Sequence, residues 1–156
     1  MKHTADEIIR LLAMEEHYEG GYYAFRWKSD RGIPRSSLPE PYAGDRKTVS
    51  LIFYLLKAGQ VSRWHRLLSD EIWFWHAGGT LEMSLGGSGP NPEVRETVLI
   101  GEALERGESL QAPVPGGVWQ TTRVVSGDFV LVSCAVSPGF EVEDFFLPDP
   151  GLGGTV

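Results

Sequence analysis

The sequence predicts an all-β protein, a sandwich or barrel with a short N-terminal helix. Apolar runs such as Leu51–Leu56 and Phe129–Val136 have strand length and are rich in β-branched and aromatic residues. Turn signals recur between such runs, at Ala58-Gly59, Gly78-Gly79, 86–92 (GGSGPNP), 113–117 (PVPGG), Ser126-Gly127-Asp128 and Ser137-Pro138-Gly139. Helical periodicity shows at the N-terminus and then gives way to short strands. At 156 residues the chain reads as one domain, 1–156, with a helix over about 4–18, a barrel over about 22–147 and a tail over 148–156.

Taken in order, Thr4 and Glu7 stand at capping-box spacing, and Ile8, Leu11 and Leu12 form the apolar stripe of the helix. Gly20-Gly21 can end it, which places His17 near the C-terminal dipole as a capping or surface histidine. Strands are then expected at Tyr22–Trp27, Thr48–Lys57, Val61–Arg66, Glu71–His76, Leu81–Leu85, Val94–Leu99, Trp119–Val125, Phe129–Val136 and Val142–Leu147. Many short strands at regular spacing mean a sandwich or barrel. Residues 28–47 form a long irregular connection, and loops of that length are commonly functional or mobile.

Composition narrows the partners. The formal charge of −7 argues against nucleic acid. One stretch runs the other way: residues 26–47 carry Arg26, Lys28, Arg31, Arg35, Arg46 and Lys47 against Asp30, Glu40 and Asp45, a solvated face or an anchor for an anionic small molecule. The lone Cys134 excludes an internal disulfide and a cysteine-based zinc cluster, and its neighbours (FVLVSCAV) read as the surroundings of an inert buried thiol. No apolar run approaches the ~20 residues that span a bilayer, and the acid-bearing N-terminus does not read as a signal peptide. A cytoplasmic protein without a membrane partner is the expectation. The GGSGP segment lacks a following Lys-Ser/Thr and reads as a hairpin connection, not a phosphate loop.

Residues 59–79 (GQVSRWHRLLSDEIWFWHAGG) carry the chemistry. On extended chain, His65 and Leu67 project from one face, and Leu68-Ser69-Asp70 turns the chain so that Glu71 folds back toward His65. The same parity puts Trp73 and Trp75 on the face of Glu71. One wall then carries an imidazole, a carboxylate and two indoles, a mostly apolar site with few placed polar groups. The opposite parity leaves His76 exposed or packed between sheets, and Glu143 and Asp144 read as a solvated edge.

The spacing Gly59, His65, Leu67, Glu71, Gly78 resembles the first motif of the cupin superfamily, G-x5-HxH-x3-E-x6-G, with Leu67 in place of the second histidine. Pro115-Gly116-Gly117 resembles the PxG of the second motif, with Gln120 in place of its histidine. The segments 14–23 (MEEHYEGGYY), 50–56 (SLIFYLL), 65–73 (HRLLSDEIW), 115–120 (PGGVWQ) and 137–147 (SPGFEVEDFFL) narrow the resemblance to the cupin-5 group, a domain of unknown function, over about residues 4–147. The resemblance implies a double-stranded β-helix, a jelly-roll-like barrel, together with homodimers and a likeness to sugar-nucleotide epimerases. A fold supplies no reaction by itself.

Three functional readings follow. In metal-binding cupins three histidines and a glutamate hold a divalent ion. Carried over, that leaves His65, Glu71 and Gln120 as a weak set for zinc, nickel or manganese, because Leu67 has no lone pair and an amide oxygen is a poor transition-metal ligand. The second reading is metal-free acid–base chemistry of the epimerase or isomerase type. His65 is the base, Glu71 orients it, and Tyr54 is a candidate acid. The third is a binding module without catalysis, with Trp73 and Trp75 stacking on a small polar ligand, sugar-like or anionic, and His65, Glu71 and Gln120 supplying hydrogen bonds.

Overall fold

The computed structural model describes residues 3–149, so most of the predicted tail lies outside the described residues. Thr4 caps α1 (Ala5–Leu11) with the expected reciprocal bonds, its side chain accepting from the Glu7 amide while the Glu7 carboxylate accepts from the Thr4 amide. The helix ends well before the predicted position. Leu12 is its C-cap and Ala13 takes a left-handed φ of 50°, so the chain turns into β1 (Glu15–Glu16) short of Gly20.

The strands are β2 (Tyr22–Lys28), β3 (Gly32–Ile33), β4 (Arg46–Lys47), β5 (Ser50–Lys57), β6 (Val61–Leu67), β7 (Asp70–Leu85), β8 (Glu96–Ile100), β9 (Gln111–Val114), β10 (Gln120–Ser137) and β11 (Phe145–Phe146). β3 and β4 pair as a small ribbon inside the long connection, and the other nine strands form one antiparallel sheet that closes into a barrel. β7 and β10 are long and pair along nearly their whole length, Gln120 opposite Leu85 and Ser137 opposite Asp70. Each therefore serves both halves of the barrel. The late half of β10 pairs with β5, and its early half with β6.

Two predicted turns are bends within these long strands. Gly78-Gly79 in β7 meets Ser126-Gly127 in β10 where the register slips twice. A Cβ on Gly79 would lie 1.7 Å from the Ser126 carbonyl oxygen, so the backbones touch where the strands bend. The predicted strand Val142–Leu147 is instead a 3₁₀ turn, Val142–Asp144, followed by β11. β9 falls where Pro113 and Pro115 predict a turn. It pairs with β7 alone, and an edge strand tolerates proline.

Alternation sorts the side chains. Tyr54 and Leu56 of β5, Trp73, Leu81 and Met83 of β7, and Val130, Val132 and Cys134 of β10 face inward and form the buried barrel core. Outside the sheet, Ile8 and Met14 pack with Ala24, Leu55 and Phe129 in a second cluster, which is why the helix lies against the barrel wall. Among the described residues no helix is long and apolar enough to cross a membrane.

Candidate functional site

The barrel core stops short of one end. A cavity of about 360 Å³ opens there, walled by apolar side chains such as Ile52, Leu67, Val136 and Phe145. Away from its rim, the imidazoles and carboxyls that line it come from four residues: His17, Glu19, His65 and Glu71. His65 (β6) and Glu71 (β7) are buried, as the motif spacing predicts. His17 and Glu19 lie between β1 and β2, in a loop that the sequence pattern assigns to the end of a helix. The capping or surface role expected for His17 is corrected: its side chain is 11% exposed, stacks on Tyr18 and meets the edges of Tyr23 and Tyr54.

The glycines after Glu19 explain how this loop enters. Gly20 and Gly21 have φ of 114° and 72°, and added Cβ atoms would lie 2.1 Å from the Val61 carbonyl oxygen and 2.7 Å from that of Leu55. The bare backbone is pressed onto β5 and β6. Arg63 donates its amide to the Glu19 carbonyl at 2.8 Å, and the Tyr54 hydroxyl donates to the Gly20 carbonyl at 2.5 Å. An acid directly before two such glycines is the signal in the sequence that marks Glu19, and it falls outside the motif spacing.

The partner of the His65 imidazole is also corrected. His65 Nδ1 lies 2.8 Å from the Arg63 carbonyl oxygen and 3.2 Å from Glu19 Oε2, whereas Glu71 is beyond ion-pair reach. A carbonyl only accepts, so Nδ1 carries the proton and Nε2 keeps its lone pair. His17 has the reverse arrangement. The Glu19 amide donates to His17 Nδ1 at 3.3 Å, which leaves the proton of the neutral ring on Nε2. The two imidazoles thus stand as opposite tautomers on either side of one carboxyl, with Glu19 Oε1 3.6 Å from His17 Nδ1.

Glu71 is held from behind. Gln120 donates its amide nitrogen to Glu71 Oε2 at 2.6 Å and accepts the Trp73 indole N–H at 3.1 Å. Because an indole only donates, the amide orientation is dictated: oxygen toward Trp73, nitrogen toward Glu71. Gln120 is 1% exposed with both ends engaged, so it positions Glu71 and does not line the cavity. The aromatic wall is corrected on the same ground. Trp73 and Trp75 do keep the parity of Glu71, but they continue away from the cavity into the barrel core, Trp73 fully buried and Trp75 donating to the Gly79 carbonyl at 3.0 Å. Tyr54 is likewise core, its hydroxyl committed to Gly20, and is no candidate acid.

Burial governs the titrations. It lowers His17 to about 4, with the charge of His65 adding to the effect, and raises Glu19 to about 8. Burial lowers His65, opposed by the Glu71 charge and the Arg63 carbonyl, and raises Glu71, opposed by His65. Cys134 lines the cavity as a buried thiol pushed well above its ordinary value by burial and the nearby carboxylates. Near neutral pH His17 is therefore neutral and Glu19 keeps its proton.

The mouth carries its charges in pairs. Lys28 donates to the Phe140 carbonyl at 3.0 Å and to the Glu141 carboxylate, both at the cavity rim. Other cations of the basic stretch are spent within the fold. Arg46 makes a two-pronged bond to Asp144 at 2.6 and 2.7 Å, Arg35 pairs with Glu40 and Lys47 donates to the Asp30 carbonyl. Asp144, expected on a solvated edge, is 2% exposed because it receives Arg46.

The donor set does not fit the divalent ion of metal-binding cupins. Leu67 has no lone pair and lines the apolar wall, and Gln120 is turned to Trp73 and Glu71. Among the described residues no three of His, Cys, Asp and Glu stand close enough to share an ion.

An antiparallel barrel built on two long shared strands, open at one end onto a histidine and a glutamate at motif spacing, is a cupin. The chain belongs to the cupin-5 family, described as cupin superfamily (DUF985), whose model matches residues 6–147. A protein from Shewanella oneidensis, known from its crystal structure, shares 36% identity over 93% of this chain and 84% of its own, with a TM-score of 0.78. A hypothetical protein from Leishmania major shares 34% over 93% of this chain and 87% of its own, with a TM-score of 0.82. Oxalate decarboxylase from Bacillus subtilis (14% identity, 84% of this chain, 28% of that one, TM-score 0.53) is similar in fold alone. No curated protein matches the sequence.

Proposed function

We propose that this cupin takes a small, polar, sugar-like ligand into the open end of its barrel and works on it by metal-independent proton transfer of the epimerase or isomerase type. One observation supports this above the rest: an apolar-walled cavity gathers two neutral imidazoles and two carboxyls that burial pushes toward protonation. His65 offers a lone pair on Nε2 for a substrate proton, and Glu71, fixed by Gln120, offers a carboxyl to a developing oxyanion. A neutral His17 and a protonated Glu19 favour hydroxyl and carbonyl groups over anions as contacts, and the volume suits a monosaccharide-sized molecule.

The test is a panel of aldoses, ketoses and uronic acids incubated with the protein in D2O. Proton NMR follows loss of carbon-bound signals, and thermal shift reports binding. Exchange in at least one compound that falls about 100-fold or more in His65→Gln, with the melting temperature of the free variant little changed, is the expected result. Saturable stabilisation without exchange would overturn the catalytic half and leave a binding module. Absence of both across the panel would overturn the proposal.

A further inference from the structure

The loop between β1 and β2 supplies a group that lies outside both cupin metal-binding motifs, and it stands where a two-base reaction needs one. We infer that Glu19 is a proton relay joining two catalytic imidazoles, His65 and His17, so that one histidine removes a substrate proton while the other delivers one. The inference rests on the proton-transfer reading above and specifies its machinery.

The carboxyl of Glu19 puts one oxygen 3.2 Å from His65 Nδ1 and the other 3.6 Å from His17 Nδ1. The two Nδ1 atoms differ in state: that of His65 bears a hydrogen shared with the Arg63 carbonyl, and that of His17 is an acceptor, holding the Glu19 amide by a long bond of 3.3 Å. Both rings also line the cavity, and in each ring Nε2 is the nitrogen left for a ligand.

A turnover then balances, starting from Glu19 as a neutral carboxyl with its proton on Oε1. A substrate C–H bond breaks, its electron pair stays on carbon, and the proton joins the lone pair of His65 Nε2. The Nδ1 proton of His65 passes to Glu19 Oε2, which neutralises the imidazolium as it forms. Glu19 Oε1 gives its own proton to His17 Nδ1. His17 releases its Nε2 proton to the carbon anion, on the other face or at the neighbouring carbon, and a C–H bond forms. The carboxyl ends neutral with its proton on the other oxygen, both rings have exchanged tautomers, and the site is set for the reverse transfer. No oxidant, metal or co-reactant enters. Burial serves the relay, because a carboxyl shielded from water keeps its proton at neutral pH and has one to pass on. Glu19 touches no substrate in this scheme and is a positioning and relay residue. His17 and His65 are the groups in contact.

The experiment is ¹⁵N–¹H NMR of the full chain labelled at histidine ring nitrogens, at pH 7 without ligand. Wild-type protein should show His65 protonated on Nδ1 and His17 on Nε2. In the D2O panel, Glu19→Gln should lose carbon exchange by about 100-fold, and Glu19→Asp should retain most of it. Identical tautomers in the wild-type protein would overturn the relay, and the tautomer measurement needs no variant to fold. The D2O panel separates this from its parent proposal. Carbon exchange at the wild-type rate in Glu19→Gln would sink the relay and keep the isomerase reading. The expected tautomers in a protein that exchanges no compound would sink the isomerase reading and, with it, the relay.

Discussion

His17 and Glu19 share one loop and are kept neutral in opposite ways: the imidazole by losing its proton, the carboxyl by keeping it. Their titrations give opposite contributions to stability as pH rises. His17 has a folded value of about 4 against an ordinary 6.5, so as pH falls from 6.5 to 4 the unfolded chain takes up a proton that the folded chain refuses. Stability drops over that window by on the order of 3 kcal/mol, since each pH unit between the two values is worth about 1.4 kcal/mol. Glu19 has a folded value of about 8 against 4.5, so as pH rises from 4.5 to 8 the unfolded chain releases a proton that the folded chain retains, and stability declines again. Above pH 6.5 the histidine no longer contributes. Urea melts between pH 6.5 and 8 should show a falling midpoint for the wild-type protein and a shallower slope for Glu19→Gln; equal slopes would contradict the buried carboxyl. At this scale the sequence is partly legible. His65 and Glu71 stand out because motif spacing is local, whereas Glu19 and His17 reach the site only through a loop that two glycines let settle on β5 and β6.

The elements show the same division. Period-two alternation correctly puts Trp73 and Trp75 on the face of Glu71, but parity gives a face and not a depth along it. The long strands take these indoles past the cavity into the core. The fusion of four predicted strands into β7 and β10 is hidden because Gly78-Gly79 and Ser126-Gly127 are turn signals on their own and become bends only when they meet. That meeting is testable. Gly79→Ala would drive a methyl against the Ser126 carbonyl, and neither strand can give without breaking a ladder shared by both half-barrels. Loss of about 1–3 kcal/mol in chemical denaturation is expected, from the steric clash. Gly107, whose Cβ would meet nothing within 4 Å, is the control: with φ of 81° its alanine variant should cost only the left-handed conformation, about 1 kcal/mol.

At the scale of the molecule, the basic connection and the C-terminal segment are one structure. Arg46 reaches Asp144 and Glu143, the Asp144 carbonyl accepts the Leu68 amide at 3.1 Å, and Phe145 stacks on His65 with centroids 5.3 Å apart. A wall of the cavity thus depends on an ion pair between residues 98 apart in sequence. Arg46→Met leaves Asp144 buried without its cation, which should cost about 3–5 kcal/mol. Hydrogen exchange should quicken at the Leu68 amide before the β10 core opens. Unchanged protection there would show that the segment is held by something else.

The sequence by itself determined the all-β class, the capped helix, the family and two motif residues that line the cavity, because these rest on local periodicity and fixed spacing. Only the tertiary structure decided which carboxyl serves His65, where the indoles and the Gln120 amide turn, and how the charges of residues 26–47 are spent. Those outcomes depend on contacts between distant segments, and a linear pattern carries no distance across the barrel.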